Sequence, residues 1–388
     1  MQVPGALLAE YYGEWLAVWP TSRVPGLVWV TPVIELYQGS RLSAGASRRL
    51  AEQGGDIVDD VAEVTRGIPR DPGDGTRNAA PGDAELTAEL REVLLRRGAS
   101  LVGFGHPSRM EGAPDIQRPD RYLADVKSMI SIALHVNEGC CDHVAQRNVA
   151  SWRSYQIFAL GIINPSLDRL SFEASTFLED RGYIAYPFPA NAPHDFRPTP
   201  EYPGGLGDIS HTHVAVACGL GELGWHSMLM TPEFGTRHKL TTLLTTAPVV
   251  PDPMAPQGQL CNPEACGYQC ARACPTAAIP KAATPDTTRD VNMHGMWLKY
   301  GKLVGWRCRW GCSGMLKATG GNKNIPIPAQ EPTAEELLEY KAQMDVWQLR
   351  EQTKSYAGLV PYCGKCLGVC PVKRGEHPFK EGTAGGGR

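Results

Sequence analysis

Two cysteine runs, each closing on Cys-Pro, constrain this chain more than any other feature. Nine of its twelve cysteines fall between Cys261 and Cys370. The first run is Cys261, Cys266, Cys270 and Cys274-Pro275; the second is Cys363, Cys366 and Cys370-Pro371. A run ending in C-x3-C-P is the ligand pattern of bacterial-type iron–sulfur clusters, and in two-cluster proteins the last cysteine of each run ligates the other cluster. Crossed in this way, Cys261, Cys266, Cys270 and Cys370 share one [4Fe–4S] cluster. Cys363, Cys366 and Cys274 share the second, which is one thiolate short. The first run is spaced C-x4-C-x3-C rather than the common C-x2-C-x2-C, so its ligand loop is longer than usual.

The connecting segment Trp306-Arg-Cys308-Arg-Trp-Gly-Cys312-Ser-Gly-Met315 supplies the missing ligand. Cys312 is the preferred candidate because an apolar Met315-Leu316 step follows it. Cys308, between two arginines, is the alternative or a free thiol. Zinc and disulfides are the competing readings. Zinc sites use C-x2-C pairs that close a tetrahedron, and a Cys-Pro end to a C-x3-C step is foreign to that logic. Disulfides need an oxidising compartment, and Met-Gln-Val-Pro-Gly-Ala carries no export signature, so a cytoplasmic location is expected. Cys140, Cys141 and Cys218 lie outside the runs and read as buried or incidental thiols.

A length of 388 residues allows two or more domains with a full core. The net charge of −3 offers no basic excess for neutralising phosphates, which argues against a nucleic-acid partner. No run of eighteen apolar residues is present, so no membrane span is expected.

The expected organisation is an N-terminal extension (1–82), an α/β or α+β core (83–251), a cluster module (252–375) and a flexible tail (376–388). In the extension, Val24 to Leu36 is one apolar patch, and Arg66 to Asp83 reads as a polar linker. Leu86, Leu90, Val93 and Leu94 recur at helical spacing, with Gly98 as the stop. Strands are expected at Ser100–Phe104, Ser128–His135, Tyr183–Tyr186, Trp225–Met230 and His238–Thr245, and helices at Ser166–Arg181 and His211–Cys218. Pro187 to Gly207 reads as a long loop walling a pocket. On a helix His211 and His213 point about 200° apart, so they do not form a metal pair. The turn Gly219-Leu-Gly-Glu-Leu-Gly224 follows a helix instead of opening one after a strand, which excludes a dinucleotide loop.

Val214 to Trp225, with its Gly-Leu-Gly-Glu turn, and Thr231-Pro-Glu-Phe-Gly235, followed by the two Cys-Pro runs, resemble the cobalamin-dependent reductive dehalogenase and epoxyqueuosine reductase superfamily. The resemblance runs from about Asp83 to Pro371 and leans to the dehalogenase branch through Thr-Pro-Glu-Phe-Gly. Thr236 departs from it, standing where dehalogenases often carry proline. The implied fold is an α+β, nitroreductase-like core holding a base-off corrinoid, with a C-terminal ferredoxin-like module carrying two [4Fe–4S] clusters. The implied chemistry is reductive removal of a halide or oxygen from a small organic substrate. Electrons would come from a low-potential donor such as ferredoxin or flavodoxin, and a proton from a general acid in the pocket. Asp208, just before the core helix, matches the epoxyqueuosine branch's acid, and it also stands where it could cap that helix. Tyr155 assisted by Arg197 is the dehalogenase-like alternative. Corrinoid contacts are expected from His211, His213, Gly221, Met228, Thr231 and Glu233, and from Trp297, Lys302 and Trp306 between the cysteine runs. Three other functions compete: an epoxyqueuosine-type reductase, corrinoid-dependent methyl transfer, and an electron carrier without corrinoid. Acidic balance and the lack of a helical-repeat extension after Pro371 count against the first of these.

Overall fold

Ser128–His135 is apolar on both alternating faces, and such a strand is stable only when covered on both sides. The computed structural model, which describes residues 82–145, 154–190, 206–319, 323–343 and 363–379, has it so. This strand, β2, pairs antiparallel with β1 (Leu101–Gly105) and with β6 (His238–Thr245). A short β3 (Ala185–Pro187) adds to the far edge of β6, giving the order β1-β2-β6-β3. The expected extension, Arg197 and most of the tail lie outside the described residues, all of which belong to one unit spanning Val58–Arg388.

One face carries Ile130, Ile132 and Leu243 against α1 (Ala84–Arg96) and α3 (Ile163–Glu179). Leu86, Leu90 and Leu94 of α1 meet Leu167, Leu170 and Leu178 of α3 there, each at helical spacing. Asp83 caps α1 by accepting from Leu86 N at 2.9 Å. The opposite face carries Met129, Ala133 and Leu244 against α4 (His211–Ala217). Met293, Leu298 and Tyr300, from the hairpin β7 (Thr288–Met293) and β8 (Met296–Gly301), join this second core. Residues on both sides of position 252 therefore share one hydrophobic core. The fold is a mixed α/β arrangement around an antiparallel sheet.

Two sequence-based expectations are corrected. The single strand expected at Trp225–Met230 is instead a hairpin, β4 (Glu222–Leu223) with β5 (Leu229–Met230). Residues 224–228 form its turn because Gly224 N donates to Met228 O, and Ser227 N to Gly224 O. Second, the residue capping α4 is Ser210 rather than Asp208, its hydroxyl accepting from His213 N. Among the described residues no helix is long and apolar enough to cross a membrane.

Candidate functional site

Cys261, Cys266, Cys270 and Cys370 line one cavity, together with Trp225, His226, Met230 and Pro371. Roughly a hundred residues of chain separate the third of these thiols from the fourth. Two motifs bring them together. The buried carboxylate of Glu222 in the Gly-Leu-Gly-Glu turn accepts three backbone N–H groups, from Gln259 (2.7 Å), Leu260 (3.0 Å) and Cys261 (2.6 Å). Those bonds fix the loop that starts the first run. In the Thr-Pro-Glu-Phe-Gly loop, Gly235 bridges to Lys373 just past Cys370-Pro371. Gly235 has φ +55, and a β carbon on it would fall 1.9 Å from Val372 O, so only glycine allows this docking. Thr236 adds a hydroxyl bond to Leu367 O at 3.1 Å.

Burial pushes the Cys261 and Cys270 thiols up to about 12 and Cys370 up to about 11. As free thiols they stay protonated near neutrality, so loading iron releases protons. Trp225 N donates to Cys261 Sγ at 3.2 Å, the kind of N–H···S bond that iron–sulfur ligands receive.

A second thiol group forms around α6 (Gly305–Cys312) and α8 (Lys365–Gly368). Cys308 and Cys312 lie one turn apart on α6 and therefore share a face. Hydrogen bonding to Cys308 and then to Cys363 holds Cys312 well above the usual thiol range, whereas the Cys312 bond lowers Cys363 to about 7. Cys366 is raised by burial and by the charges of Cys363, Cys308, Cys270 and Cys274. Cys308 is thus in the group and not apart from it, because helical spacing overrides its flanking arginines. Both groups fit [4Fe–4S] clusters by donor chemistry: thiols only, gathered from distant segments. Among the described residues no three His, Cys, Asp or Glu side chains are placed to hold a single metal ion.

The remaining expected site residues separate. Tyr155 is fully buried against Gly364 beside the second thiol group, its hydroxyl without a partner among the described residues and its pKa raised well above the ordinary value by burial. His211 bonds Thr242 Oγ1 (2.8 Å) and Pro189 O (3.0 Å). His213 instead bridges Ser210 Oγ (2.6 Å) and the Tyr300 hydroxyl (3.0 Å). His213 and Tyr300 line a cleft of about 250 Å³ with Arg109, Gln117, Arg289 and Asn292. Leu206 and Ser210 also line it, and Asp208 lies between them in the chain. Gly221 packs so closely on β5 that a β carbon would sit 2.0 Å from Met230 O. Thr231 is buried and accepts from Phe234 N, shaping its own loop. Met228 is half-buried, while Glu233 and Lys302 are exposed. Trp297 is 64% exposed, and Trp306 stacks on Arg307.

Sequence reasoning missed Glu222 and Arg237. Arg237 is 1% exposed and ion-pairs with Glu138 and with Asp142 (2.7 Å), while its guanidinium also reaches Gly368 O at 3.4 Å. A lone charge within an apolar stretch was the available signal for Glu222, whereas Arg237, between Glu233 and Lys239, carried no such mark.

A tetrachloroethene reductive dehalogenase of Sulfurospirillum multivorans is 28% identical over 170 residues, covering 44% of this chain and 25% of that protein. An epoxyqueuosine reductase of Listeria monocytogenes is 37% identical over 73 residues, 19% of this chain and 18% of that protein. Its relatives are reductases of these two kinds. The chain spans a quarter or less of the length of these curated relatives. A solved reductive dehalogenase linked to B12-dependent dehalogenation is also similar, with 16% identity and a TM-score of 0.45 over 76% of this chain and 38% of that one. No family model matches.

Proposed function

We propose that the chain is an oxidoreductase, a corrinoid-dependent iron–sulfur reductase that removes halide or oxygen from a small organic substrate. The observation that carries this reading is the convergence of Cys261, Cys266, Cys270 and Cys370 on one cavity, in a chain whose relatives are a dehalogenase and an epoxyqueuosine reductase. In this reading residues 83–251 are a nitroreductase-like corrinoid core and residues 252–375 a ferredoxin-like module.

The clusters, when bound, supply single electrons at low potential. Their ligand sets are Cys261, Cys266, Cys270 and Cys370 for one, and Cys363, Cys366, Cys274 and Cys312 for the other, with Cys308 as the spare thiol. Glu222 holds the Cys261 loop and Trp225 N–H stabilises the thiolate. The corrinoid rests on the motifs and the relatives: the cleft of about 250 Å³ is smaller than a whole corrinoid, and the space beside Gly221 is taken by the Met230 backbone. The cleft suits a small organic molecule, and Asp208, between its lining residues Leu206 and Ser210, is the proposed proton donor. Tyr155 is the weaker candidate, since it is sealed against the second thiol group. The electron donor would be a low-potential carrier of the ferredoxin or flavodoxin class.

Anaerobic reconstitution with iron, sulfide and hydroxocobalamin tests the reading. Retention of about one corrinoid per chain after gel filtration is expected. Full cluster loading without corrinoid would reject the reductase and leave an electron carrier. Turnover of epoxyqueuosine in a tRNA stem loop, with none on organohalides, would move the chain to the second class of relative.

A further inference from the structure

We propose that His226 donates an Nε2–H hydrogen bond to the iron–sulfur cluster held by Cys261, Cys266, Cys270 and Cys370, and so raises that cluster's reduction potential. The inference rests on the cluster assignment above and adds to it a residue that binds no iron.

Three observations converge on the imidazole. First, the backbone fixes its tautomer: Met228 N donates to His226 Nδ1 at 3.1 Å. With Nδ1 accepting, the ring proton sits on Nε2. Second, Nε2 is buried with no partner among the described residues, on a side chain only 3% exposed. Leaving a buried donor unsatisfied is costly, and native structures rarely leave that cost uncompensated. Third, His226 lines the same cavity as the four cysteines. A cluster in that cavity brings electron-rich sulfur, the acceptor the donor lacks.

The turn that aims the ring is held rigidly. Ser227 takes a left-handed conformation, φ 62, which is costly for a non-glycine residue. Its hydroxyl donates to Gly301 O at 2.8 Å, tying the turn to the β7–β8 hairpin. Trp225, one residue before His226, already donates its N–H to Cys261 Sγ and its indole N–H to Pro280 O at 2.7 Å. Adjacent residues of one tight turn thus present two donors to one cluster.

Reduction adds one electron, taken from a low-potential donor, to the cluster core, and no proton needs to move. The reduced core carries more negative charge on its sulfurs. A fixed N–H donor therefore stabilises the reduced form more than the oxidised one.

The test uses the full chain, reconstituted anaerobically and titrated with dithionite under EPR. His226→Phe removes the donor at similar ring volume, and one of the two midpoint potentials is expected to shift to more negative values. His226→Gln keeps an N–H donor and is expected to recover part of the shift. With histidine labelled by 15N, pulsed EPR is expected to show a weak nitrogen coupling at the affected cluster that His226→Phe abolishes. Unchanged potentials in His226→Phe, equal shifts in both variants, or a coupling of the strength of direct iron ligation would each overturn the proposal. Should His226→Phe fail to retain its cluster, the Gln variant and the labelled wild-type protein still decide it. A wild-type chain that takes up no [4Fe–4S] cluster would sink the cluster assignment itself, a result distinct from intact clusters with an unmoved potential.

Discussion

The carboxylate of Glu222 accepts the backbone N–H of Cys261 at 2.6 Å, joining a turn in the core to the first ligand of the first cysteine run. The same carboxylate holds Gln259 and Leu260. Glu222→Ala leaves three backbone N–H donors of a partly exposed loop without the buried carboxylate that shapes it, so cluster loading is expected to fall from about eight irons per chain to about four. Iron and sulfide analysis of the purified variant checks this. Undiminished iron would show that the loop holds its shape without the carboxylate.

The crossed ligand sets make the cysteines non-equivalent. Cys370→Ala is expected to remove the cluster of the first run while sparing that of Cys363 and Cys366. Cys312→Ser is expected to remove the second cluster, because Cys312 touches both Cys308 and Cys363, whereas Cys308→Ser retains it. EPR of each variant separates the two signals. Loss of the second run's own cluster on Cys370→Ala would refute the crossing.

Arg237 joins Glu138 and Asp142 to the carbonyl of Gly368, between two ligands of the second run. Arg237→Met leaves two carboxylates without their cation at a site where the guanidinium was 1% exposed. Both carboxylates keep some solvent, so the expected loss is about 2 kcal/mol, below the usual cost of breaking a fully buried pair. Urea denaturation measures it; an unchanged midpoint would contradict a structural role.

Burial lowers His211, His213 and His238 from 6.5 to about 4. Their folded pKa values lie below the unfolded ones, so between about 4 and 6.5 the unfolded chain binds more protons. Stability therefore rises with pH through that window and is lost on acidification. Each histidine contributes at most about 3 kcal/mol to this slope. Thermal melts across the window should show the loss, and His213→Gln should flatten it. A pH-independent melting temperature would rule out the buried neutral state.

For the proposed acid, Asp208→Asn is expected to leave iron content and corrinoid retention intact while abolishing turnover of a substrate that wild type reduces. Retained turnover would exclude Asp208 and direct attention to the His213–Tyr300 pair in the cleft.

Much of the scaffold was legible locally. The strands at Ser128–His135 and His238–Thr245 follow from short, largely apolar runs of strand length, and the leucine stripe of Ala84–Arg96 from its helical period, because burial on a helix face repeats with backbone geometry. The hairpin between Glu222 and Met230 was not legible. The six residues Trp225–Met230 read as one strand, and only the bonds across residues 224–228 reveal the turn. Tyr155 had no local mark of its place beside Gly364, since contacts made across two hundred residues leave no spacing to read.

The cysteine pattern by itself determined that iron–sulfur clusters are the cargo this chain suits, since cluster ligation demands particular side chains at particular short spacings. Only the tertiary structure decided which thiols stand together, that Cys308 shares a helix face with Cys312, that Glu222 holds the Cys261 loop and that His226 lines the first cavity. Those placements depend on hydrogen bonds and packing between distant segments, whose energies are set by three-dimensional proximity rather than by order along the chain.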